Sequence, residues 1–490
     1  MVKLRIALVL TALLGAGAAQ AQQPPATLTL EEAVDLARRY NPSYRAQLND
    51  EGVADWNLRA AYAGVLPTFG VSGNLNWRAG GERRVEGVNI GDLPDQVGSS
   101  YGMGLGLQLD ASTFLDMSQA RARREATRAG IAAAEYSLEA DVTRQYLAAM
   151  RARDGVVLAR RSLEAAEEVL KLAEARVAAG ASAPIEASQP TVERGRAEVA
   201  LIQAQAAEEL EKLRLMQRIG LDPGQQVELT STFAVSEPAW SRDELTAHAL
   251  ARHPQLVAAR ANESASRASA RTARLSYLPT LNLSYGWGGF TQKTLDEDFL
   301  VSSAQASAVN RIEGCERTND LYSRLAQPLP PQDCSQFAFT EAARADILAR
   351  NRLFPFDFTR SPPSLNLQVS LPVHTGFGRE AQIQQTTAAA DDAKHARRER
   401  ELQIRTEVAA FYVALQTAWR TAGIEERNVA AAAEQLELAS ERYRLGAGSI
   451  LELTQAQETK ARADQAQLAA LYAFHENLVA LENAVGRPLR

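Results

Sequence analysis

Two periodicities divide this chain. In four stretches apolar and small polar residues alternate at every position: Phe69, Val71, Leu75 and Trp77 against Gly70, Ser72, Asn74 and Asn76; Tyr101, Met103, Leu105, Leu107 and Leu109 against Gly102, Gly104, Gly106 and Gln108; Leu281, Leu283, Tyr285 and Trp287 against Asn282, Ser284 and Gly286; and Leu365, Leu367, Val369, Leu371 and Val373 against Asn366, Gln368 and Ser370. Side chains of a β-strand point to opposite faces in turn, so strands are expected at about 68–77, 101–110, 280–290 and 363–373. Elsewhere the chain is rich in Ala, Glu, Arg, Leu and Gln, the composition of long helices, and no proline interrupts Asp116 to Ala183 or Arg379 to Gly486. Each long segment breaks once, at Gly180-Ala181-Ser182-Ala183-Pro184 and at Gly446-Ala447-Gly448-Ser449, and then resumes its helical composition. Two helical hairpins are therefore expected, at about 116–220 and 379–486, with shorter helices before the strands at about 28–65 and 241–277.

The pattern occurs twice. Asn41-Pro42, Arg59 and Leu66-Pro67-Thr68 recur as His253-Pro254, Arg271 and Leu278-Pro279-Thr280 at a constant offset of 212 positions. Tyr146, Arg176-Val177-Ala178-Ala179-Gly180 and Gly220 recur as Tyr412, Arg442-Tyr443-Arg444-Leu445-Gly446 and Gly486 at an offset of 266. The chain is a duplicated unit, 22–240 and 241–490, and the second copy is longer by 54 residues (266 less 212) between Thr280 and Tyr412.

Alternation by itself also suits a half-buried sheet in water. Here the strands have the roughly ten residues that a tilted strand needs to cross hydrocarbon. Trp77, Tyr101, Tyr285 and Trp287 lie towards strand ends, where an interfacial girdle would sit, and the polar face is small and uncharged. Four strands cannot stand alone in lipid, because each open edge leaves N–H and C=O groups that nothing satisfies. Other copies of the chain must close the barrel, which makes the protein an oligomer. The connection 78–100 is polar and Gly-rich, and 291–362 is a long charged insertion with a short helix expected at about 340–352. Segments of that size belong on an outer, aqueous surface.

Residues 1–21 read as a cleaved secretory signal: Lys3 and Arg5, an apolar run, then Ala19-Gln20-Ala21. The only cysteines, Cys315 and Cys334, lie in the insertion, and in an oxidising compartment they are expected to bridge. Beyond the signal no apolar run is long enough for a membrane helix. Without the signal, 51 Lys and Arg stand against 59 Asp and Glu, a balance that argues against nucleic acid. The five histidines are scattered and no nucleophile–base spacing or phosphate loop appears, so no enzyme site and no cofactor or metal site is expected.

The twofold order of helix, strand pair and helical hairpin, with Leu-Pro-Thr before each first strand and Arg-x-x-x-Gly at each hairpin tip, resembles the TolC family of outer-membrane efflux and export channels. The resemblance covers Leu28 to Leu489 and is most specific at Arg442-Tyr443-Arg444-Leu445-Gly446-Ala447-Gly448-Ser449-Ile450-Leu451-Glu452-Leu453. It implies a mainly α protein with a membrane β-barrel part. Three chains would each give four strands to a shared 12-stranded barrel that an α-helical periplasmic tunnel continues. The implied function is a passive exit duct of a tripartite efflux pump or type I secretion system, set in outer-membrane lipid and opened by a periplasmic adaptor and an inner-membrane transporter. By the same resemblance Glu452 matches an aspartate that lines the tunnel constriction, and with Glu186 it would form carboxylate rings that favour cations. Gln455 replaces a further acid. Tyr443 matches a tyrosine that ties the closed tip to the first-half acid, here Glu186, while Gly448 stands where that latch has an arginine. From the residues alone both glutamates also read as ordinary solvated helix acids. Gly180, Gly446 and Gly448 suit tight turns with positive φ, and Leu445 and Leu451 are candidate adaptor contacts. The rival reading is a periplasmic coiled-coil scaffold without a pore.

Overall fold

The computed structural model describes residues 27–223, 227–374 and 376–489; the expected leader lies outside them. In chain order the elements are β1 (Thr27–Leu28), α1 (Leu30–Tyr40), α2 (Pro42–Ala63), β2 (Thr68–Arg78), β3 (Gly81–Val85), β4 (Val88–Leu93), β5 (Gln96–Leu109), α3 (Ala111–Ala178), α4 (Ser188–Ile219), β6 (Glu228–Leu229), α5 (Arg242–Arg252), α6 (Pro254–Arg274), β7 (Thr280–Thr294), α7 (Glu297–Ser323), α8 (Glu341–Asn351), β8 (Thr359–Ser370), α9 (Gly378–Arg444) and α10 (Ile450–Val485). The chain divides into a helical unit (Met1–Leu58, Gln119–Ala270 and Gln384–Arg490) and a sheet unit (Arg59–Ser118 and Arg271–Ile383).

In the helical unit each repeat begins with two helices, within the stretches expected over 28–65 and 241–277 and divided where the residue before a proline, Asn41 or His253, reads in the sequence as a helix-terminating turn. The break has a covalent cause: the residue before a proline is pushed out of the helical region, and Asn41 and His253 take φ −61°, ψ 118° and φ −58°, ψ 125°. Both side chains then do two jobs. Asn41 Oδ1 accepts from the Tyr44 amide (3.0 Å), capping α2, while Nδ2 donates to the Arg218 carbonyl (2.8 Å) in the last turn of α4. His253 Nδ1 accepts from the Gln255 amide (3.2 Å), and Nε2 bonds the Asn483 carbonyl (3.0 Å) in the last turn of α10. Only the tautomer protonated at Nε2 serves both, so the imidazole acts here as a larger asparagine.

Close approach makes these contacts. Gly220 and Gly486, which end α4 and α10, have φ 92° and 82°, and a Cβ on Gly220 would lie 3.0 Å from Asn41 Cα while one on Gly486 would lie 3.0 Å from His253 Cα. The repeated Asn/His-Pro and Gly are thus the two sides of one joint, made once per repeat. Each joint abuts a core. The first gathers Val34, Tyr146, Leu147, Met150, Leu215 and Ile219. The second gathers Leu245, Leu256, Ile404, Val408, Phe474 and Leu481.

In the sheet unit four strands pair antiparallel in the order β2-β5-β7-β8. The last strand occupies Thr359–Ser370, so Leu371 and Val373 fall outside it, although 363–373 was expected. The polar connection 78–100 is itself a hairpin, β3 with β4, and β5 begins at Gln96. The insertion holds a 27-residue helix, α7, that its sequence pattern did not announce, and α8 lies where a short helix was expected. Cys315 on α7 is bonded to Cys334. Two asparagine amides bracket backbone as a strand neighbour would: Asn319 on Gln332 (2.8 and 2.7 Å) and Asn351 on Thr294 (2.9 and 2.7 Å).

Gly220→Ala should lower the thermal midpoint, with a loss of about 2 kcal/mol from left-handed backbone and overlap with Tyr40 and Asn41. Gly130→Ala, inside α3 with open space around it, should instead raise stability by up to about 1 kcal/mol. Burial, with Arg400 adding to it, holds the His253 imidazole below its ordinary value of 6.5, outweighing the carbonyl of Asn483 and the charge of Glu407, which raise it. The unfolded chain therefore takes up this proton first as pH falls. The stability that neutral His253 contributes is intact above 6.5 and is lost between 6.5 and the lower folded value. Midpoints compared at about pH 7.5 and 5.5 should differ less in His253→Asn, which copies Asn41, than in the native protein.

Candidate functional site

Two regions carry candidate chemistry: the faces of the sheet and the tips of the two hairpins. Strand register sorts the sheet faces. Phe69, Leu105, Tyr285 and Leu365 form one cross-strand row; Val71, Met103 and Trp287, then Leu107, Leu283 and Leu367, then Leu109, Leu281 and Val369 form others on the same face. The rings of Phe69 and Tyr285 lie 6.3 and 5.4 Å from that of Trp287. The opposite face carries rows of Gly70, Gly104, Gly286 and Ser364; Ser72, Gly102, Gly288 and Ser361; Thr68, Gly106, Ser284 and Asn366; and Gln108, Asn282 and Gln368. None of these rows has an ionisable side chain. The apolar face is open: Val71, Leu75 and Leu365 are 63%, 72% and 70% exposed. The sheet ends at β2 and β8, each paired on one side only within the chain.

The tips repeat one backbone design. The carbonyls of Arg176 and Arg442 accept from the amides of Ala181 (2.9 Å) and Ala447 (2.8 Å), and Gly180 and Gly446 take φ 71° and 77°. Gly448 differs from expectation, since its φ is not positive. It is small for another reason: a Cβ there would stand 3.2 Å from the Arg442 Cβ and from the Tyr443 amide nitrogen. Ser449 then caps α10, accepting from the Glu452 amide at 3.2 Å.

The side chains break this symmetry. Arg176 crosses to the other hairpin: its guanidinium donates to the Tyr443 carbonyl, lies 4.7 Å from the centre of the Tyr443 ring and donates from Nε to Ser182 Oγ (3.2 Å). Tyr443 is buried against Val169, Ala439, Leu453 and Ala456, with Ile450 packed alongside. Burial pushes its phenol above the ordinary range, Arg176 opposes that and Glu186 adds to it. The interaction with Ser182 also lowers it, and Glu186 acts on Tyr443 through its field. Arg442, the counterpart of Arg176, stays on its own hairpin and pairs with Glu452 (Nη1 to Oε1, 3.0 Å). Gln455 is exposed one turn further on. At the ends of the hairpins Ile185, Leu445 and Leu451 are exposed, the first two by about three quarters.

The sequence marked Arg176 and Arg442 only as repeat positions and gave them no task. Their spacing from Gly180 and Gly446 was visible; which partner each would reach was not. Among the described residues no group of three or more His, Cys, Asp or Glu could hold a metal ion, and no helix is long and apolar enough to cross a membrane.

Comparison with known proteins bears on both regions. The profile of the outer membrane efflux protein family matches residues 33–221 and 343–487. The chain is 26% identical over 370 residues to the pyoverdine export outer membrane protein OpmQ of Pseudomonas putida and 29% identical over 278 residues to the outer membrane protein OprJ of Pseudomonas aeruginosa. These matches cover 72% and 53% of this chain, and they span 64% and 54% of the two relatives. The outer-membrane channel OprN superposes with a TM-score of 0.69 at 18% identity, over 93% of this chain and 89% of that one, a likeness of fold.

The cross-hairpin contact has a local test. Arg176→Ala should speed amide hydrogen exchange at both tips, 176–186 and 442–452, by up to about fivefold for a contact worth near 1 kcal/mol. Tyr443→Phe, which keeps the ring and carbonyl that Arg176 uses, should leave exchange almost unchanged.

Proposed function

Because this chain belongs to the outer membrane efflux protein family, we propose that it works as the exit duct of an export system, a passive pore made from several copies of itself. The observation that carries the reading is the sheet. Through the middle of the strands one face is apolar in register and the other is small and uncharged, with Arg78, Lys293 and Arg360 only at strand ends, as a wall between lipid and water requires. Its two outer edges have no strand partner among the described residues, and in lipid the need for one is absolute. Three copies would bring twelve strands, enough to leave an open lumen larger than that of an eight-stranded barrel. A coiled-coil scaffold in water has no use for such a face.

The hairpin tips would then form the periplasmic mouth. Ile185, Leu445 and Leu451 offer an exposed apolar rim to an adaptor, and Glu452 and Glu186 stand near the turns where a constriction would lie. Arg176 gives the tip a latch that Gly448 cannot supply, since it ties the first hairpin to the Tyr443 backbone and ring. Opening would require that clasp to part, with the energy coming from an adaptor and an inner-membrane transporter. The small polar face of the sheet selects by size more than by charge.

The test is reconstitution. Detergent-extracted protein should run as a heat-modifiable trimer and give discrete conductance steps in planar bilayers, and Arg176→Ala should raise open probability. A protein that stays monomeric in water without detergent, and is silent in bilayers with or without Arg176, would sink the reading.

A further inference from the structure

We infer that Arg442 sets the charge selectivity of the tip by cancelling Glu452, so that the mouth presents ion pairs where bare carboxylates would otherwise stand. The inference rests on the exit-duct reading and assigns a specificity-determining residue within it. Arg442 Nη1 lies 3.0 Å from Glu452 Oε1, across the turn that joins α9 to α10. The reach depends on the turn itself. The amides of Ala447 and Gly448 both donate to the Arg442 carbonyl (2.8 and 2.9 Å), folding the turn back over the arginine, and the missing Cβ of Gly448 leaves room for its stem.

The pair is half-exposed and contributes little to stability, under about 1 kcal/mol. Its consequence is electrostatic. Residues 176–186 and 441–452 contain three arginines (Arg176, Arg442 and Arg444) and three glutamates (Glu186, Glu441 and Glu452), so each tip is neutral. Arg444 pairs with Glu441 at 2.8 Å, and Arg176 is engaged by Tyr443 and Ser182. Glu452 therefore meets a fixed cation of its own chain. A ring of such pairs in an oligomer has almost no net field along its axis, whereas a ring of carboxylates would concentrate cations and hold divalent or trivalent ions.

The experiment is the reversal potential across planar bilayers in a KCl gradient for the native protein, Arg442→Gln, Glu452→Gln and the double variant. Arg442→Gln should raise the K⁺ over Cl⁻ permeability ratio by up to about tenfold. Glu452→Gln should shift it towards anions, and the double variant should return close to native. An unchanged ratio in Arg442→Gln overturns the inference while leaving the duct intact. A second readout needs no current: hexamminecobalt(III) should raise the melting temperature of detergent-solubilised Arg442→Gln, and not that of the native protein or the double variant. Equal shifts in all three, or none in Arg442→Gln, also overturn it, whereas silence of every variant in bilayers counts against the duct.

Discussion

The open edges of the four-stranded sheet are the constraint on which the rest depends. A strand edge carries N–H and C=O groups at every second residue, and in hydrocarbon each unsatisfied group costs several kcal/mol. β2 and β8 have such edges, and the faces between them differ in polarity. In the proposed duct, lipid on one face and lumen on the other would explain why apolar residues alternate with Gly, Ser, Asn and Gln through the middle of the strands. A closed barrel needs more strands than one chain has, so on that proposal the membrane part and the oligomer are a single requirement.

The helical unit meets a different demand, which is to end long helices and turn them without losing backbone hydrogen bonds. The Asn-Pro and His-Pro joints answer it. Proline stops one helix, the preceding side chain caps the next, and the same side chain satisfies a carbonyl at the end of the hairpin that returns beside it. Glycine in left-handed backbone makes the approach close enough. Both repeats have this device, with Asn in the first and His in the second, and the imidazole gives the second joint a dependence on protons.

At the tips duplication kept the backbone and divided the chemistry. Both turns use the same carbonyl, the same glycine and the same arginine, yet Arg176 joins two hairpins and Arg442 neutralises an acid on one. The difference arises because Tyr443 offers a ring and a carbonyl to Arg176, and because Gly448 clears the way from Arg442 to Glu452. On the proposed reading, a latch and a charge shield would thus come from equivalent residues.

The sequence by itself determined whatever depends on near neighbours along the chain. The period of two marked the strands, proline-free Ala- and Glu-rich runs marked the hairpins, Gly180 and Gly446 marked their turns, and the twofold order marked the family. It failed where order comes from distant contacts. The helix α7 carries Ser, Asn and Gly with no apolar stripe, and it is set by its Asp296 cap and the bond from Cys315 to Cys334. The hairpin of β3 and β4 hid in a polar loop. Only the tertiary structure decided which partner each tip arginine meets, why a side chain at Gly448 would crowd Arg442, and that the apolar positions of the strands fall in shared cross-strand rows. Those facts depend on distances between residues as far apart as Arg176 and Tyr443, and no local pattern encodes them.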